Sequence, residues 1–108
     1  MDIVTVKTGT NIDVIYLDDI FFLQASGDYV EIHTNDRTFL KEQTMKYFEE
    51  NLPDKKFVRV HRSYIVNLRK IVRMEKYGRQ SVILTLSNRE KLKVSTEGYR
   101  LLKKRMGI

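Results

Sequence analysis

The sequence predicts a mainly β protein with two or three short helices. Short apolar runs alternate with turn residues along most of the chain, two segments show helical spacing instead, and the 108 residues include only one proline. Neither an internal repeat nor a βαβ rhythm is present. Because 42% of the residues are hydrophobic, a chain of this length is expected to fold as one domain, residues 1–108, around a single core.

Strands and tight turns are predicted for the first third of the chain. The apolar runs at 3–6, 14–17 and 20–25 have the length of strands, and the Thr-Gly-Thr segment 8–10 is typical of a turn. A Ser-Gly-Asp bend then leads into an extended run at 29–33. We therefore expect a hairpin at this bend, followed by further extended chain.

Helical spacing appears at two places. The first is 44–52, where Pro53 ends the pattern, and the second begins at Thr96, with Ser95 as the predicted N-cap. Between the two helices, three strands at hairpin spacing are predicted within 71–94. The second helix is amphipathic, and its polar face is basic.

A dense apolar stretch, 57–68, follows the first helix, and its periodicity does not distinguish helix from strand. Within it, the segment FVRVHRSYIVN combines apolar side chains with side chains that can donate hydrogen bonds. These donors are Arg59, His61, Arg62 and Ser63. Donors at fixed positions suit contacts to phosphates or to base edges. An alternative stays open, in which Arg59 pairs with an acid of the first third and Asn67 caps a turn.

The charge of the protein is polarised along the chain. The net charge is +6, yet residues 1–36 hold seven acidic residues against one lysine, whereas residues 55–79 hold nine basic residues against one acid. A basic block of this kind indicates an acidic partner such as nucleic acid. Solvated lysines and arginines that serve solubility alone are the alternative explanation.

Composition excludes several chemistries. Without cysteine the chain can form neither a disulfide nor a thiolate zinc site, and cysteine catalysis is impossible. The only histidines, His33 and His61, are 28 residues apart and lack the spacing of metal ligands. Phosphate-binding glycine loops and nucleophile elbows are also missing. We therefore expect no metal, no cofactor and no enzymatic activity.

Targeting signals are not evident in the sequence. No apolar segment approaches the ~20 residues that a membrane span requires. The start of the chain, MDIVTVKTG, lacks the basic flank and apolar core of a secretory signal. We expect a cytoplasmic protein that does not interact with a membrane.

Four segments of the chain resemble the LytTR domain, the DNA-binding output domain of LytR/AlgR-type bacterial response regulators. They are GDYVEIH at Gly27–His33, NLP at Asn51–Pro53, FVRVHRSYIVNLRKI at Phe57–Ile71 and LKVSTEGYRLL at Leu92–Leu102. The third segment carries the long pattern F-x-R-x-H-R-S-[YF]-x-V-N, which has high specificity. The resemblance extends over nearly the whole chain.

The resemblance implies an elongated set of antiparallel β-sheets with short helices, and DNA contacts made by loops that enter successive grooves. Three segments correspond to the contact loops of the family. Their residues are Gly27, Asp28 and Tyr29 in the first, His61, Arg62 and Ser63 in the second, and Ser95, Thr96, Glu97 and Arg100 in the third. Apolar positions that hold these loops correspond to Phe57, Ile65, Val66 and Ile71. Arg59 and Asn67 match positions with a mainly structural role.

Two positions depart from the family pattern. Members of the family often carry a basic residue just after the Val-Ser pair, where this chain has Thr96 and Glu97, and Arg100 is the nearby residue that could replace it. Asp28 in the first loop disfavours a phosphate contact, although its carboxylate can accept a hydrogen bond from a cytosine amine. The preferred DNA sequence is therefore expected to differ from that of other members.

The function predicted from these features is sequence-specific binding of double-stranded DNA and regulation of transcription. By resemblance, the expected partners are promoter direct repeats and a receiver domain in the same, longer chain, with a possible dimer on DNA. The alternative is a β-module that does not bind DNA and instead mediates a protein or ligand interaction.

Overall fold

The computed structural model describes residues 1–108. Ten strands and two α-helices follow one another along the chain. The strands are β1 (Ile3–Thr8), β2 (Asn11–Tyr16), β3 (Ile20–Ser26), β4 (Tyr29–Thr34), β5 (Thr38–Lys41), β6 (Phe57–His61), β7 (Tyr64–Asn67), β8 (Ile71–Tyr77), β9 (Ser81–Leu86) and β10 (Lys91–Val94). The helices are α1 (Met45–Asn51) and α2 (Thr96–Met106), and short 3-10 helices occupy Leu17–Asp19 and Leu68–Lys70.

The strands form three antiparallel sheets. β1 and β2 make a hairpin, β5-β4-β3-β7-β6 make a central five-stranded sheet, and β10-β9-β8 make a three-stranded sheet. The molecule measures 49 × 24 × 23 Å along its principal axes. The prediction of a mainly β, elongated antiparallel architecture with two short α-helices is confirmed. None of the helices is long and apolar enough to cross a membrane.

The core is divided into two clusters by the central sheet, whereas the chain length had suggested a single core. Successive side chains of a strand point to opposite faces of its sheet. Leu23 and Ile65 therefore belong to one cluster, and their neighbours Phe22 and Val66 belong to the other. All four are at most 2% exposed, so the central sheet is buried on both faces at these positions.

Different elements cover the two faces of the central sheet. The β1–β2 hairpin and α1 cover one face, contributing Val4, Val6, Ile15, Met45 and Phe48 to the first cluster. The three-stranded sheet and α2 cover the other face, contributing Val82, Leu84, Leu86, Leu92, Val94 and Leu102 to the second. Burial of these apolar side chains is the main source of stability, at about 25 cal/mol per Å² of surface.

The ambiguous stretch 57–68 forms the β6–β7 hairpin. Arg59 pairs with Ile65 and His61 pairs with Tyr64, with an irregularity in the register between the two pairs. A continuous apolar run is expected here because both strands lie where the central sheet is covered on both faces. Their β-branched valines and isoleucine suit a buried strand.

Capping residues fix the ends of the helices. The hydroxyl of Thr44 accepts a hydrogen bond from the backbone N–H of Tyr47 at the start of α1. The predicted N-cap of α2 is confirmed, because the Ser95 hydroxyl accepts from the N–H of Gly98. Gly107 ends α2 with φ of 73°, a left-handed conformation that glycine adopts without strain.

Candidate nucleic-acid interface

Two of the predicted contact segments lie at the same end of the central sheet. β3 pairs antiparallel with β7, so the end of β3 adjoins the start of β7. The backbone N–H of Ala25 donates to the carbonyl of Ser63 at 3.0 Å. This hydrogen bond joins the end of β3, next to the β3–β4 turn, to Ser63 in the β6–β7 turn.

The first segment is the tight β3–β4 turn. Ser26 pairs with Tyr29, which leaves Gly27 and Asp28 as a two-residue connection. Gly27 has φ of 59°, and such a value is expected in the turns that match the twist of a hairpin. Asp28 is exposed, and Tyr29 is 46% exposed despite its large apolar ring. The turn therefore presents a carboxylate and an aromatic side chain to solvent.

The second segment is the β6–β7 turn, whose conformation is held by its own histidine. The Nδ1 atom of His61 accepts a hydrogen bond from the backbone N–H of Ser63 at 3.1 Å. An accepting Nδ1 carries no proton, so the neutral ring bears its proton on Nε2 and can donate from there. The Arg62 side chain is exposed and belongs to none of the ion pairs of the protein.

The Arg59 side chain stabilises the β6–β7 turn. Its Nη2 donates to the carbonyl oxygen of Arg62 at 2.6 Å, and its Nη1 lies 3.2 Å from Oε1 of Glu49 in α1. The alternative in which Arg59 pairs with an acid of the first third is therefore wrong, because α1 packs beside β6 and brings Glu49 closer. Arg59 links α1 to the backbone of the β6–β7 turn.

Asn67 is the one buried polar residue of the protein, at 2% exposure. Its Nδ2 donates to the carbonyl of Ile20 at 2.9 Å, and its Oδ1 accepts from the N–H of Arg69 at 3.0 Å. Both ends of the amide are thus satisfied, as burial requires. The part of the alternative in which Asn67 caps a turn is correct, since its side chain caps the 3-10 helix that follows β7.

The third segment is attached to β6 immediately before the second. The backbone N–H of Ser95 donates to the carbonyl of Val60 at 2.9 Å, and its hydroxyl donates to the same oxygen at 3.2 Å. Val60 directly precedes His61 in sequence. The start of α2 is therefore adjacent to the β6–β7 turn, and backbone hydrogen bonds at or beside the segments tie both the first and the third to the second.

Gly98 allows this close approach of helix and strand. A Cβ atom at this position would lie 1.9 Å from the carbonyl oxygen of Val60. Real Cβ atoms do not approach backbone oxygens so closely, so any larger residue would move α2 away from β6. The requirement for glycine at position 98 is apparent only when the strand beneath the helix is known.

Arg100 and Glu97 form an ion pair on the exposed surface of α2. Nε of Arg100 lies 3.0 Å from Oε2 of Glu97, and a second guanidinium nitrogen contacts the other carboxylate oxygen. The hydrogen bond from Arg100 lowers the pKa of the Glu97 carboxyl, and the same bond raises the pKa of Arg100. The positive charge of Arg100 is therefore compensated locally, while Thr96 beside it is exposed and uncharged.

The two histidines have separate surroundings. The His33 ring stacks on Phe22 at 4.1 Å between centroids, and its Nε2 lies 2.9 Å from Oε1 of Glu31.

The structure contains no group of three or more His, Asp or Glu side chains arranged to hold a metal ion. The chemistry that the clustered segments offer is hydrogen-bond donation, hydrogen-bond acceptance and charge.

Two exposed cations at the β8–β9 hairpin, Lys76 and Arg79, were not predicted as site residues from the sequence. Val82 of β9 pairs with Val94 of β10, so the turn of this hairpin and the start of α2 lie at the same end of the three-stranded sheet. Lys76 and Arg79 line a cleft together with Ser95 and Thr96. The two cations belong to the basic block 55–79, but no sequence motif distinguishes them from its other members.

The fold and the predicted segments together define a β-sheet protein in which two of the hydrogen-bonding turns share one end of the central sheet and the third segment begins beside β6. The family model described as LytTr DNA-binding domain matches residues 10–107. The chain therefore belongs to the LytTR family of DNA-binding domains, as the sequence motifs had predicted.

Relatives and a solved structure agree with this assignment. The chain is 28% identical over 102 residues to the sensory transduction protein LytT of Bacillus subtilis and 24% identical over 106 residues to the sensory transduction protein LytR of Staphylococcus epidermidis. These alignments cover 94% and 98% of this chain but only 42% of each relative. The LytTr DNA-binding domain of a Bacillus cereus response regulator superposes with a TM-score of 0.90 at 25% identity, covering 100% of this chain and 99% of that one.

Proposed function

We propose that this chain binds double-stranded DNA at specific sequences through three segments that enter successive grooves. The observation that carries the proposal is the hydrogen-bonded connection of the three segments, from Ala25 to Ser63 and from Ser95 to Val60. Backbone hydrogen bonds hold the segments in a fixed relation, and base recognition requires such preorganised donors and acceptors.

Each segment offers groups that suit DNA. The exposed guanidinium of Arg62 can donate to O6 and N7 of one guanine, the commonest specific contact in the major groove. His61 Nε2 and the Ser63 hydroxyl are further donors beside it. The Asp28 carboxylate can accept from a cytosine amine. In the third segment the Ser95 hydroxyl caps α2, so Thr96, Glu97 and Arg100 are the residues of that segment proposed to face DNA.

The whole protein is proposed to be longer than this chain. The chain spans 42% of the length of the LytT and LytR relatives, which are sensory transduction proteins. We propose that it serves as the output domain of a response regulator, linked to a receiver domain in the same polypeptide, and that it regulates transcription. Occupancy of promoter direct repeats by two copies would then depend on dimerisation driven by the receiver.

A binding experiment tests the proposal. A preferred duplex is first selected by the protein from a random-sequence library, and fluorescence anisotropy then measures the affinity for that duplex and for a scrambled duplex at several salt concentrations. We expect a steep loss of affinity with salt and a preference of about a thousandfold or more for the selected duplex. Equal affinity for both duplexes would contradict the proposal and favour a β-module that recognises a protein or ligand.

A further inference from the structure

A basic cleft separates the β8–β9 turn from the start of α2. Its volume is about 370 Å³, and its lining combines cationic, hydroxyl, amide and apolar side chains, namely Lys76, Arg79, Gln80, Val82, Ser95, Thr96, Tyr99 and Lys103. Val82 and Tyr99 supply the apolar part of this surface. The remaining six residues are polar, and no carboxylate lines the cleft.

The register of the three-stranded sheet explains why the cleft is cationic. Lys76 pairs with the buried Val82 and therefore lies on the inner face of the sheet, beyond the edge of the second core cluster. Glu75, the only acid in this part of the chain, lies on the opposite face. There its carboxylate is 3.4 Å from Nε of Arg73 and accepts from the Tyr77 hydroxyl at 3.1 Å.

The cations of the cleft are free of acidic partners. Lys76, Arg79 and Lys103 take part in none of the six ion pairs of the protein. Lys103 is positioned by Tyr99, since its Nζ lies 4.6 Å above the centre of that ring. Three positive charges held around one cleft repel each other in the free protein, and an anion in the cleft would relieve this repulsion.

We propose that the cleft holds a phosphate of the DNA backbone, which makes the β8–β9 turn a fourth DNA-contacting segment. The proposal rests on the proposed function, because Ser95 and Thr96 belong both to the cleft and to the third contact segment. A phosphodiester matches the site, since lysine, arginine and hydroxyl donors are the usual partners of DNA phosphates. The contact positions the protein on the duplex and carries no sequence information.

Salt dependence tests the role of Lys76 and Arg79. The cleft variant, Lys76→Gln with Arg79→Gln, removes two positive charges from the cleft. The control variant, Lys55→Gln with Lys91→Gln, removes two exposed lysines that form no ion pair and lie at the ends of the sheets away from the cleft. Anisotropy titrations use the selected duplex and its scrambled version. We expect the cleft variant to reduce the magnitude of the negative slope of log K against log salt by about 1, the value for one phosphate contact, equally for both duplexes. The control variant should keep the wild-type slope.

A second measurement locates the phosphate. Duplexes with one neutral methylphosphonate linkage at successive positions are titrated with wild-type protein and with the cleft variant. A linkage that weakens wild-type binding but leaves the cleft variant unaffected marks the phosphate in the cleft. Equal slopes for the two double variants, or no such linkage, would overturn the cleft assignment. Failure of the wild-type protein to prefer its selected duplex would instead overturn the proposed function.

Discussion

Arg62 is the exposed cation at the centre of the candidate interface. Its backbone carbonyl accepts from Arg59, so the β6–β7 turn is held independently of the Arg62 side chain. We expect Arg62→Ala to leave stability unchanged and to cost about 1 to 3 kcal/mol of binding, confined to one base pair of the selected duplex. Anisotropy titrations against a set of singly substituted duplexes measure this loss.

Arg69→Ala is the matched control for Arg62. Arg69 is also exposed and lies in the same basic block, but it belongs to the 3-10 helix at the other end of β7. We expect its substitution to leave base preference intact. If Arg62→Ala weakens binding to all duplexes by the same factor, Arg62 contacts a phosphate and reads no base.

We expect Glu97 to oppose DNA binding in two ways. Its carboxylate would repel phosphates, and it holds the guanidinium of Arg100. Because Arg100 lowers the pKa of Glu97, the pair is present above the ordinary pKa of a glutamate and is lost as the pH falls through the lowered value. At neutral pH the pair is therefore formed. We expect Glu97→Gln to tighten DNA binding and to steepen its salt dependence.

Two comparisons check the explanation for Glu97. Glu90→Gln removes an exposed acid that has no ion-pair partner from the β9–β10 turn, and it should change DNA affinity less than Glu97→Gln does. In Arg100→Gln, NMR titration should show the pKa of the Glu97 carboxyl returning upwards to its ordinary range. If the Glu97 carboxyl has the same pKa in the wild-type protein and in Arg100→Gln, the Glu97–Arg100 ion pair is not formed in solution.

Among the elements, α2 depends on its contact with β6. Helix propensity alone predicts that Gly98→Ala stabilises α2 by up to about 1 kcal/mol. The contact with Val60 predicts the opposite sign, because the new Cβ would overlap the carbonyl oxygen of the strand. We expect Gly98→Ala to lower the free energy of unfolding, measured by urea titration, by about 1 to 3 kcal/mol.

A substitution in α2 that should not change stability serves as the control for Gly98→Ala. Lys104 is exposed and makes no ion pair, so Lys104→Ala should leave the unfolding free energy nearly unchanged. Hydrogen exchange of the Ser95 amide reports the contact directly, since this N–H donates to Val60. Unchanged protection of Ser95 in Gly98→Ala would contradict the close approach of helix and strand.

In the whole molecule, the central sheet makes the two core clusters interdependent. β3, β6 and β7 each contribute side chains to both clusters, so neither cluster can be lost while the other keeps its sheet intact. We therefore expect one cooperative unfolding transition. Residue-resolved NMR during urea titration should give the same midpoint for Val4, in the hairpin layer, and Leu92, in the three-stranded sheet. Separate midpoints would show that the two layers unfold independently.

Local signals in the sequence predicted most of the elements and the family. Turn residues such as Gly27, the proline after α1 and the Ser95 cap act on the chain within a few residues, so they are visible without the fold. The motif around His61 and Arg62 is also local, because one short hairpin carries it. The mainly β architecture follows from such signals, and the predicted contact segments follow from the resemblance of the motifs to the LytTR family.

The remaining features depend on contacts between residues that are distant in sequence. The β6–β7 strands were ambiguous because burial on both faces removes the alternation that identifies a strand. Glu49 as the partner of Arg59, the clash that excludes a side chain at Gly98, and the cleft formed by Lys76 and Arg79 all arise from strand register and helix docking. A sequence carries no local record of these contacts, since packing of the layers against the central sheet brings the residues together.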